Sequence, residues 1–193
     1  GLQTYELKDV ETGKDVTNKT TFKVAWAGDS LYFAIRCEEE SMDNLVIPAT
    51  KDGDHTIFDG DSVELQLETA THGYYQISMD PKGHVNDLDR PDASMIGRTG
   101  PYNTKWEAGI EVATHRAADF WNVEVRVPAL GANQEEILPN YGVAGDKPSE
   151  EAPWYFNVCR IRKAGGKTAF HAFSPTGEHG FHYRRKFAKL KPK

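Results

Sequence analysis

The sequence predicts an all-β domain, an antiparallel β-sandwich of about ten short strands with long loops and little helix. Apolar and polar residues alternate with period two over much of the 193-residue chain, which is the pattern of half-buried strands. Turn residues separate these runs, and no stretch keeps a helical period over several turns. The chain is long enough to bury a core, so we expect residues 1–193 to form a single domain.

The first two long strands are predicted to form a hairpin around the turn sequence AGDS. Apolar side chains alternate with polar or small ones along residues 22–26 and again along residues 31–37. The residues on the apolar face are Phe22, Val24, Trp26, Leu31, Phe33, Ile35 and Cys37. The polar stretch that follows, residues 38–60, shows no clear element.

A second hairpin is predicted over residues 61–69 and 73–80. The register that places all its apolar residues on one face pairs Leu67 with Tyr75, Leu65 with Ile77, and Val63 with Met79. The other face is polar and carries Glu64, Gln66, Glu68, Tyr74, Gln76 and Ser78. In this register Gln66 faces Gln76 and Glu64 is the diagonal neighbour. We expect this polar face to be open to solvent.

The remaining elements are also short. HVNDLD predicts a weak strand, a polar loop follows from Arg90 to Asn103, and KWEAGIEVATH and FWNVEVRVP predict two antiparallel strands. Residues 129–151 are rich in glycine, proline and acidic residues, with room for one helical turn near QEEIL. WYFNVCRIR, KTAFHAF and KFAKL predict the last strands. The predicted core contains Val24, Trp26, Phe33, Ile35, Val63, Leu65, Leu67, Ile77, Val123, Val125 and Val127.

Composition excludes some classes of partner. The net charge is −6 and the pI is about 5.6, so we expect no electrostatic binding to nucleic acid. No apolar run approaches the roughly 20 residues of a membrane helix, and we expect no membrane partner. The chain opens inside a strand-like pattern, which suggests a domain excised from a larger secreted protein. Two cysteines, Cys37 and Cys159, make no disulfide framework and are interpreted as buried thiols, although one disulfide stays open.

Two loop phenylalanines flank the polar face of the second hairpin. Phe58 precedes the hairpin in a Gly/Asp-rich loop, and Phe181 precedes the last strand in a Gly/His-rich loop. Sugar rings present flat C–H patches that attract aromatic faces, and amide and carboxylate groups hold vicinal hydroxyls. The pattern is therefore typical of a sugar site, while an ordinary solvated face and anchored loops remain the alternative.

Several motifs occur in a characteristic order. They are TFKVAWAGDSLYFAIRCEE, an aromatic residue three positions before DSVEL, YYQI with a following turn glycine, WNVEVRVP, WYFNVCR, and FSPTG…F…KFAKL. In this order and spacing the chain resembles the family 9 carbohydrate-binding modules and their relatives in the wider DOMON-like group. The resemblance extends from about Thr21 to Leu190.

The resemblance implies a sugar site. In such modules the sugar lies between two aromatic side chains, and the matching positions here are Phe58 and Phe181. The glutamate of DSVE matches Glu64, and a hydrogen-bonding position on the next strand, often arginine, matches Gln76. Phenylalanine replaces the usual tryptophans, and glutamine removes a charge-assisted hydrogen bond. At the rim we expect Asp61, His179 and His182, of which the histidines are unusual for the family.

The resemblance also implies structural calcium in Asp-rich loops. One such loop contains Asp52, Asp54, Asp59 and Asp61, and another contains Asp87 and Asp89. Oxygen ligands at alternating positions suit calcium, but aspartate and glycine are also common in turns. Both interpretations stay open at this point.

The sequence therefore predicts a non-catalytic module that clamps a sugar, at a glycan chain end, and targets an attached catalytic domain to polysaccharide. We expect it to be secreted, periplasmic or at the cell surface of a bacterium. The main alternative is a non-binding structural domain that packs against a catalytic neighbour. A haem-binding DOMON-like domain and a glycosidase built on Asp61 and Glu64 are further alternatives, although core packing explains the inward-facing Met79 more simply than haem ligation.

Overall fold

The computed structural model of the chain describes residues 1–90 and 102–191. Within these residues, twelve strands form two sheets, and every pair of neighbouring strands is antiparallel. The predicted β-sandwich is confirmed.

The first sheet is built around the predicted first hairpin. In spatial order it contains β1 (Tyr5–Glu6), β3 (Thr20–Ala27), β4 (Ser30–Glu38), β9 (Phe120–Pro128) and β8 (Glu111–Arg116). The two strands of this hairpin, β3 and β4, meet at the predicted turn. The strands predicted from KWEAGIEVATH and FWNVEVRVP are β8 and β9.

The second sheet contains the predicted second hairpin. Its spatial order is β2 (Lys8–Asp9), β11 (Ala169–Ala172), β10 (Trp154–Arg162), β5 (Ser62–Glu68), β6 (Tyr75–Met79) and β7 (Val85–Asp89), while β12 (Ala188–Leu190) also pairs with β10. The register of β5 and β6 matches the prediction in every pair, including Leu67 with Tyr75 and Gln66 with Gln76. The alternation of apolar residues was sufficient to predict this register, because a slip of one residue would expose all the apolar side chains of the strand.

Helices in the described part of the chain are short. One α-helix, α1, spans Gln134–Ile137, and 3₁₀ helices span Met42–Asn44, His55–Asp59 and Arg184–Lys186. The first two 3₁₀ helices lie in the stretch where no element was predicted. The predicted polar loop from Arg90 to Asn103 falls mostly outside the described residues. None of the described helices has the length and apolar character needed to cross a membrane.

The main core lies between the two sheets. All the predicted core residues are buried there except Val24 and Trp26, which pack against the core but stay partly exposed. Trp26 lies at the end of β3, where its indole N–H donates to the carbonyl of Gly28 at 2.8 Å and its ring meets Trp154 edge to face. Met79 is fully buried in the same core, so its packing accounts for its inward position.

A second apolar cluster lies on the outer face of the second sheet. It contains Val10, Cys159, Ile161, Ala172 and Phe181. The loop that follows β11 folds back over this face, where the amide of Asn157 donates to the carbonyl of Ser174 and accepts from its N–H, both at 2.9 Å. Both cysteines are free thiols, since Cys37 belongs to the main core and Cys159 to this second cluster.

The expectation of an open polar face on β5 and β6 is wrong. Glu64, Gln66, Gln76 and Ser78 are all at most 2% exposed. Period-two alternation assigns these residues to the outer face correctly, but it does not distinguish a face covered by water from one covered by loops.

A buried ion pair joins the two sheets. Arg160, on β10, is completely buried and donates to Glu39 at 2.9 Å, to the carbonyl of Glu38 at 2.9 Å and to the hydroxyl of Thr20 at 3.2 Å. Arg162 donates to both oxygens of the same Glu39 carboxylate, each at 2.7 Å. The two arginines thus bind the second sheet to the end of β4 in the first.

Replacing Glu39 by glutamine should destabilise the domain by about 3–5 kcal/mol, because it leaves the Arg160 guanidinium buried without a counter-charge. Urea unfolding followed by tryptophan fluorescence measures this effect. The matched control is Glu124→Gln on the exposed side of β9, which should change stability by less than about 0.5 kcal/mol. Equal effects of the two substitutions would contradict the structural role of the ion pair.

Candidate functional site

A pocket of about 450 Å³ opens on the outer face of the second sheet. This volume falls within the range of small-molecule sites. Of the residues predicted for the site, the lining contains Phe58, Glu64, Gln76, His179, Phe181 and His182. The remaining lining residues are His55, Leu88, Arg90, Tyr102, Ile161, Phe170, Glu178 and Gly180. Segments far apart in sequence therefore converge in this pocket.

A chain of hydrogen bonds lines the pocket. The Nε of Arg90 donates to the amide oxygen of Gln76 at 2.8 Å, and the amide nitrogen of Gln76 donates to Glu64 at 2.9 Å. Gln66 donates to the same oxygen of Glu64 at a longer 3.4 Å. The positions of the carboxyl, amide and guanidinium groups are thereby fixed relative to one another before any ligand arrives.

Glu64 has an altered acidity. Burial raises the pKa of Glu64 to about 7, even though the bonds from Gln66 and Gln76 and the charge of Arg90 favour the ionised form. The side chain therefore changes between a hydrogen-bond donor and a pure acceptor close to neutral pH.

Phe58 is held by a short 3₁₀ helix. Asp54 caps this helix by accepting from the N–H and hydroxyl of Thr56, and it also accepts from Thr50. The Phe58 ring is half-buried and lies 6.1 Å from the ring of His55, which in turn lies 6.2 Å from Tyr102. This side of the pocket therefore offers adjacent flat surfaces.

Phe181 has a different environment from Phe58. It is only 3% exposed and belongs to the second apolar cluster, where its ring meets Phe170 at 5.5 Å. The sequence suggested two loop aromatics of similar standing, but in the structure Phe58 is half-buried, whereas Phe181 is buried and lines the pocket with little exposed surface. The difference arises because the loop carrying Phe181 covers Ile161 and Cys159, whose side chains point to the outer face.

The two predicted histidines occupy distinct positions in the pocket lining. Nδ1 of His182 lies 3.0 Å from the hydroxyl of the buried Tyr74, which connects the loop to the sheet. His179 is more exposed, with Nδ1 3.1 Å from a carboxylate oxygen of Glu11 and its ring 4.6 Å from that of Phe170. Both histidines thus border the pocket, as expected for rim positions.

Asp61 is not part of the pocket lining. Its carboxylate is fully buried and accepts from the backbone N–H groups of Val46, Lys163 and Ala164, at 2.8, 2.9 and 3.1 Å. The rim position expected for it is therefore not found. Its bonds instead fix the loop that carries Phe58 at the start of β5.

Sequence reasoning missed Arg90 and Tyr102. Arg90 directly follows β7, and its guanidinium carbon lies 5.1 Å above the ring of Tyr102, which is 47% exposed. The pairing of Gln76 with Leu88 on β7 places Arg90 diagonally beside Gln76, to whose amide oxygen its Nε donates. A signal was present, since Arg90 stands two residues after an outward-facing position of a predicted strand.

Buried His72 helps to position Arg90. The Nε2 of His72 donates to Asp89 at 2.5 Å, while Nδ1 contacts Glu135, and the ring stacks on Tyr75. Burial alone would lower the pKa of His72, but the two carboxylates outweigh it and the pKa is raised. The Asp89 backbone also pairs with Asn103, so one cluster fixes the residues that precede Arg90 and follow Tyr102.

Five of the six aspartates considered for calcium accept hydrogen bonds from protein groups. Asp52 accepts from the N–H of Val85 at 2.9 Å, Asp87 accepts from Ala108 at 2.5 Å, and Asp54, Asp61 and Asp89 have the partners given above. Within residues 1–90 and 102–191, no group of three acidic, histidine or cysteine side chains is arranged to hold a metal ion. These side chains do not form a fitting calcium site, and calcium binding stays a prediction.

Comparisons with known proteins identify the fold. No protein-family model and no curated protein matches the chain. A protein from Bacteroides uniformis, provisionally classed as carbohydrate-binding, superposes with a TM-score of 0.74 at 14% identity over 100% of this chain and 87% of its own. A family 9 carbohydrate-binding module from Caldicellulosiruptor kristjanssonii, solved with cellotriose, gives 0.62 at 13% identity over 100% and 83%. A structure of such a module from the same organism with glucose gives 0.59 at 14% over 98% and 84%.

The chain thus shares the fold of family 9 carbohydrate-binding modules, as the resemblance implied. Its place in the DOMON-like group stays a prediction.

Glu64→Gln should change how stability depends on pH. Because folding raises the Glu64 pKa from 4.5 to about 7, the wild type loses stability as pH rises through this window. The variant lacks this titration, so its stability should rise by roughly 2–3 kcal/mol relative to wild type between the two limits. Chemical unfolding across this pH range measures the difference. The control Glu38→Gln, at an exposed position of β4, should follow the wild-type profile, and parallel profiles for Glu64→Gln would contradict the assignment.

Proposed function

We propose that this domain is a non-catalytic carbohydrate-binding module that holds one sugar residue, at the end of a glycan chain, in the outer-face pocket. The observation that carries this proposal is the convergence of a platform aromatic residue, Phe58, with a prearranged set of polar groups on Glu64, Gln76 and Arg90. An aromatic side chain alone, or a set of polar groups alone, would support sugar binding less strongly.

The chemistry of the lining suits a sugar. The Phe58 ring provides a face for the C–H side of a pyranose, and Phe181 supplies the second apolar surface. Carboxyl, amide and guanidinium groups each contact two vicinal hydroxyls, and their hydrogen bonds to one another reduce the entropy lost on binding. Tyr102, which was not expected from the sequence, adds a further exposed ring beside Arg90.

Two structural neighbours support the ligand class. The modules from Caldicellulosiruptor kristjanssonii were solved with cellotriose and with glucose. We extend carbohydrate binding, but not these particular sugars, to the present chain. In this proposal the domain is secreted, periplasmic or displayed on the cell surface, where it directs an attached catalytic domain to polysaccharide.

The pocket does not contain the carboxyl pair that the sequence suggested for catalysis. A glycosidase needs two carboxyl groups that flank the scissile bond. Asp61, one member of the pair considered from the sequence, is buried in bonds to backbone N–H groups outside the lining. Glu64 keeps its place beside Gln76, where it is suited to contact a hydroxyl.

A second candidate is a structural domain that packs against a catalytic neighbour. It is favoured by an apolar depression of about 180 Å³ lined by residues that include Leu2, Val24, Trp26 and Leu31. Leu2 is 56% exposed in the structure, and Trp26 and Val24 are only partly buried. The polar groups of the outer-face pocket have no role in this alternative, so sugar binding distinguishes the two.

Phe58→Ala should weaken glycan binding by at least about tenfold while leaving the fold intact, because it removes the stacking surface but little of the core. A glycan array on the purified domain, followed by calorimetric titration of the best ligand, measures the effect. Tyr32→Ala serves as the control, since Tyr32 is an exposed aromatic residue on the first sheet. Unchanged affinity in Phe58→Ala would contradict the site, and absence of any array ligand would favour the structural candidate.

A further inference from the structure

Arg90 places a positive charge in the pocket without a close counter-ion among the described residues. Its Nε bonds to the neutral amide of Gln76, and its planar group lies 5.1 Å from the ring of Tyr102 and 5.8 Å from that of Tyr74. Within residues 1–90 and 102–191, no carboxylate forms an ion pair with it. By contrast, Arg126, Arg160, Arg162 and Arg184 are all paired with glutamate.

Among the described residues, neither carboxyl group of the lining forms an ion pair with Arg90. Glu64 reaches Arg90 only through Gln76, and burial raises its pKa to about 7, so it is largely neutral in mildly acidic solution. Glu178 is exposed, where solvent screens its charge. Arg90 therefore gives the pocket a cationic group inside a domain whose net charge is −6.

We propose that the pocket selects an acidic sugar, a hexuronate whose carboxylate accepts hydrogen bonds from the terminal nitrogens of Arg90. This inference rests on the proposed function and narrows its ligand class. A guanidinium matches a carboxylate with two parallel hydrogen bonds, which a neutral hydroxymethyl group does not reproduce. The bond from Nε to Gln76 fixes the orientation of the Arg90 guanidinium group, and the rings of Tyr74 and Tyr102 limit its movement.

The decisive experiment uses matched pairs of ligands that differ only at C6. Methyl glycosides of glucose and glucuronic acid, and of galactose and galacturonic acid, are titrated calorimetrically into the domain at a pH below the pKa of Glu64. At least one uronate should bind about tenfold or more tightly than its neutral counterpart. Concentrated sodium chloride should weaken binding of the uronate and leave binding of the neutral sugar unchanged.

Arg90→Gln should abolish the preference for the uronate. Arg90→Lys should retain part of it, because the charge remains but the two parallel hydrogen bonds of a guanidinium are lost. Arg116→Gln is the matched control, since it removes the same charge from an exposed position on β8 of the other sheet. Circular dichroism and thermal unfolding of each variant separate a loss of ligand contact from a loss of fold.

The outcomes separate this inference from the proposed function. Equal binding of the neutral and acidic members of both pairs, or tighter binding of the neutral ones, overturns the acidic preference and leaves carbohydrate binding in place. A preference for uronate that survives in Arg90→Gln overturns the role of Arg90. Absence of binding to these four glycosides and to an array of neutral and acidic oligosaccharides overturns both proposals.

Discussion

The buried ion pair between the sheets constrains the whole sandwich. A guanidinium with no exposed surface is stable only when its charge and most of its N–H groups have partners. Arg160 obtains these partners from Glu39, Glu38 and Thr20, all at the end of the first sheet. Apolar contacts tolerate small relative shifts of two layers, whereas these directional bonds do not. They therefore fix where β10, and with it the outer face of the second sheet, lies relative to the first.

The positions of the pocket residues depend on the same arrangement of the two sheets. Strand β5 pairs with β10 on one side and with β6 on the other, so the positions of Glu64 and Gln76 follow from the position of β10. The covering loops are tied to the same strands by the bonds of Asp61 and Asn157. Burial of Glu64 and Gln76 is a cost of folding, offset elsewhere, and it leaves the groups already desolvated and oriented for a ligand.

Sequence reasoning predicted the sheets better than the layer that covers them. The alternation around Leu65 and Ile77 set the strand register, because exposing that apolar set would be unfavourable at every residue. The positions of Phe58, Glu64 and Gln76 were also predictable from motif order. Contacts such as Arg160 with Glu39, or Asp61 with Ala164, join residues whose local patterns carry no information about each other. The burial of Phe181 was not predicted for the same reason, since it depends on Ile161 and Phe170, which come from other strands.

The division of the pocket between a strand-built floor and loop-built sides has an evolutionary consequence. The side groups come from the segments around His55, Arg90 and His179, which lie outside the core between the sheets. Substitutions there alter which ligand fits without disturbing the ion pair or the main core. A scaffold of this kind tolerates extensive divergence, in keeping with a common fold at 13–14% identity. The same sandwich is therefore compatible with differently lined pockets, because the residues that hold the sheets together are not the residues at the sides of the pocket.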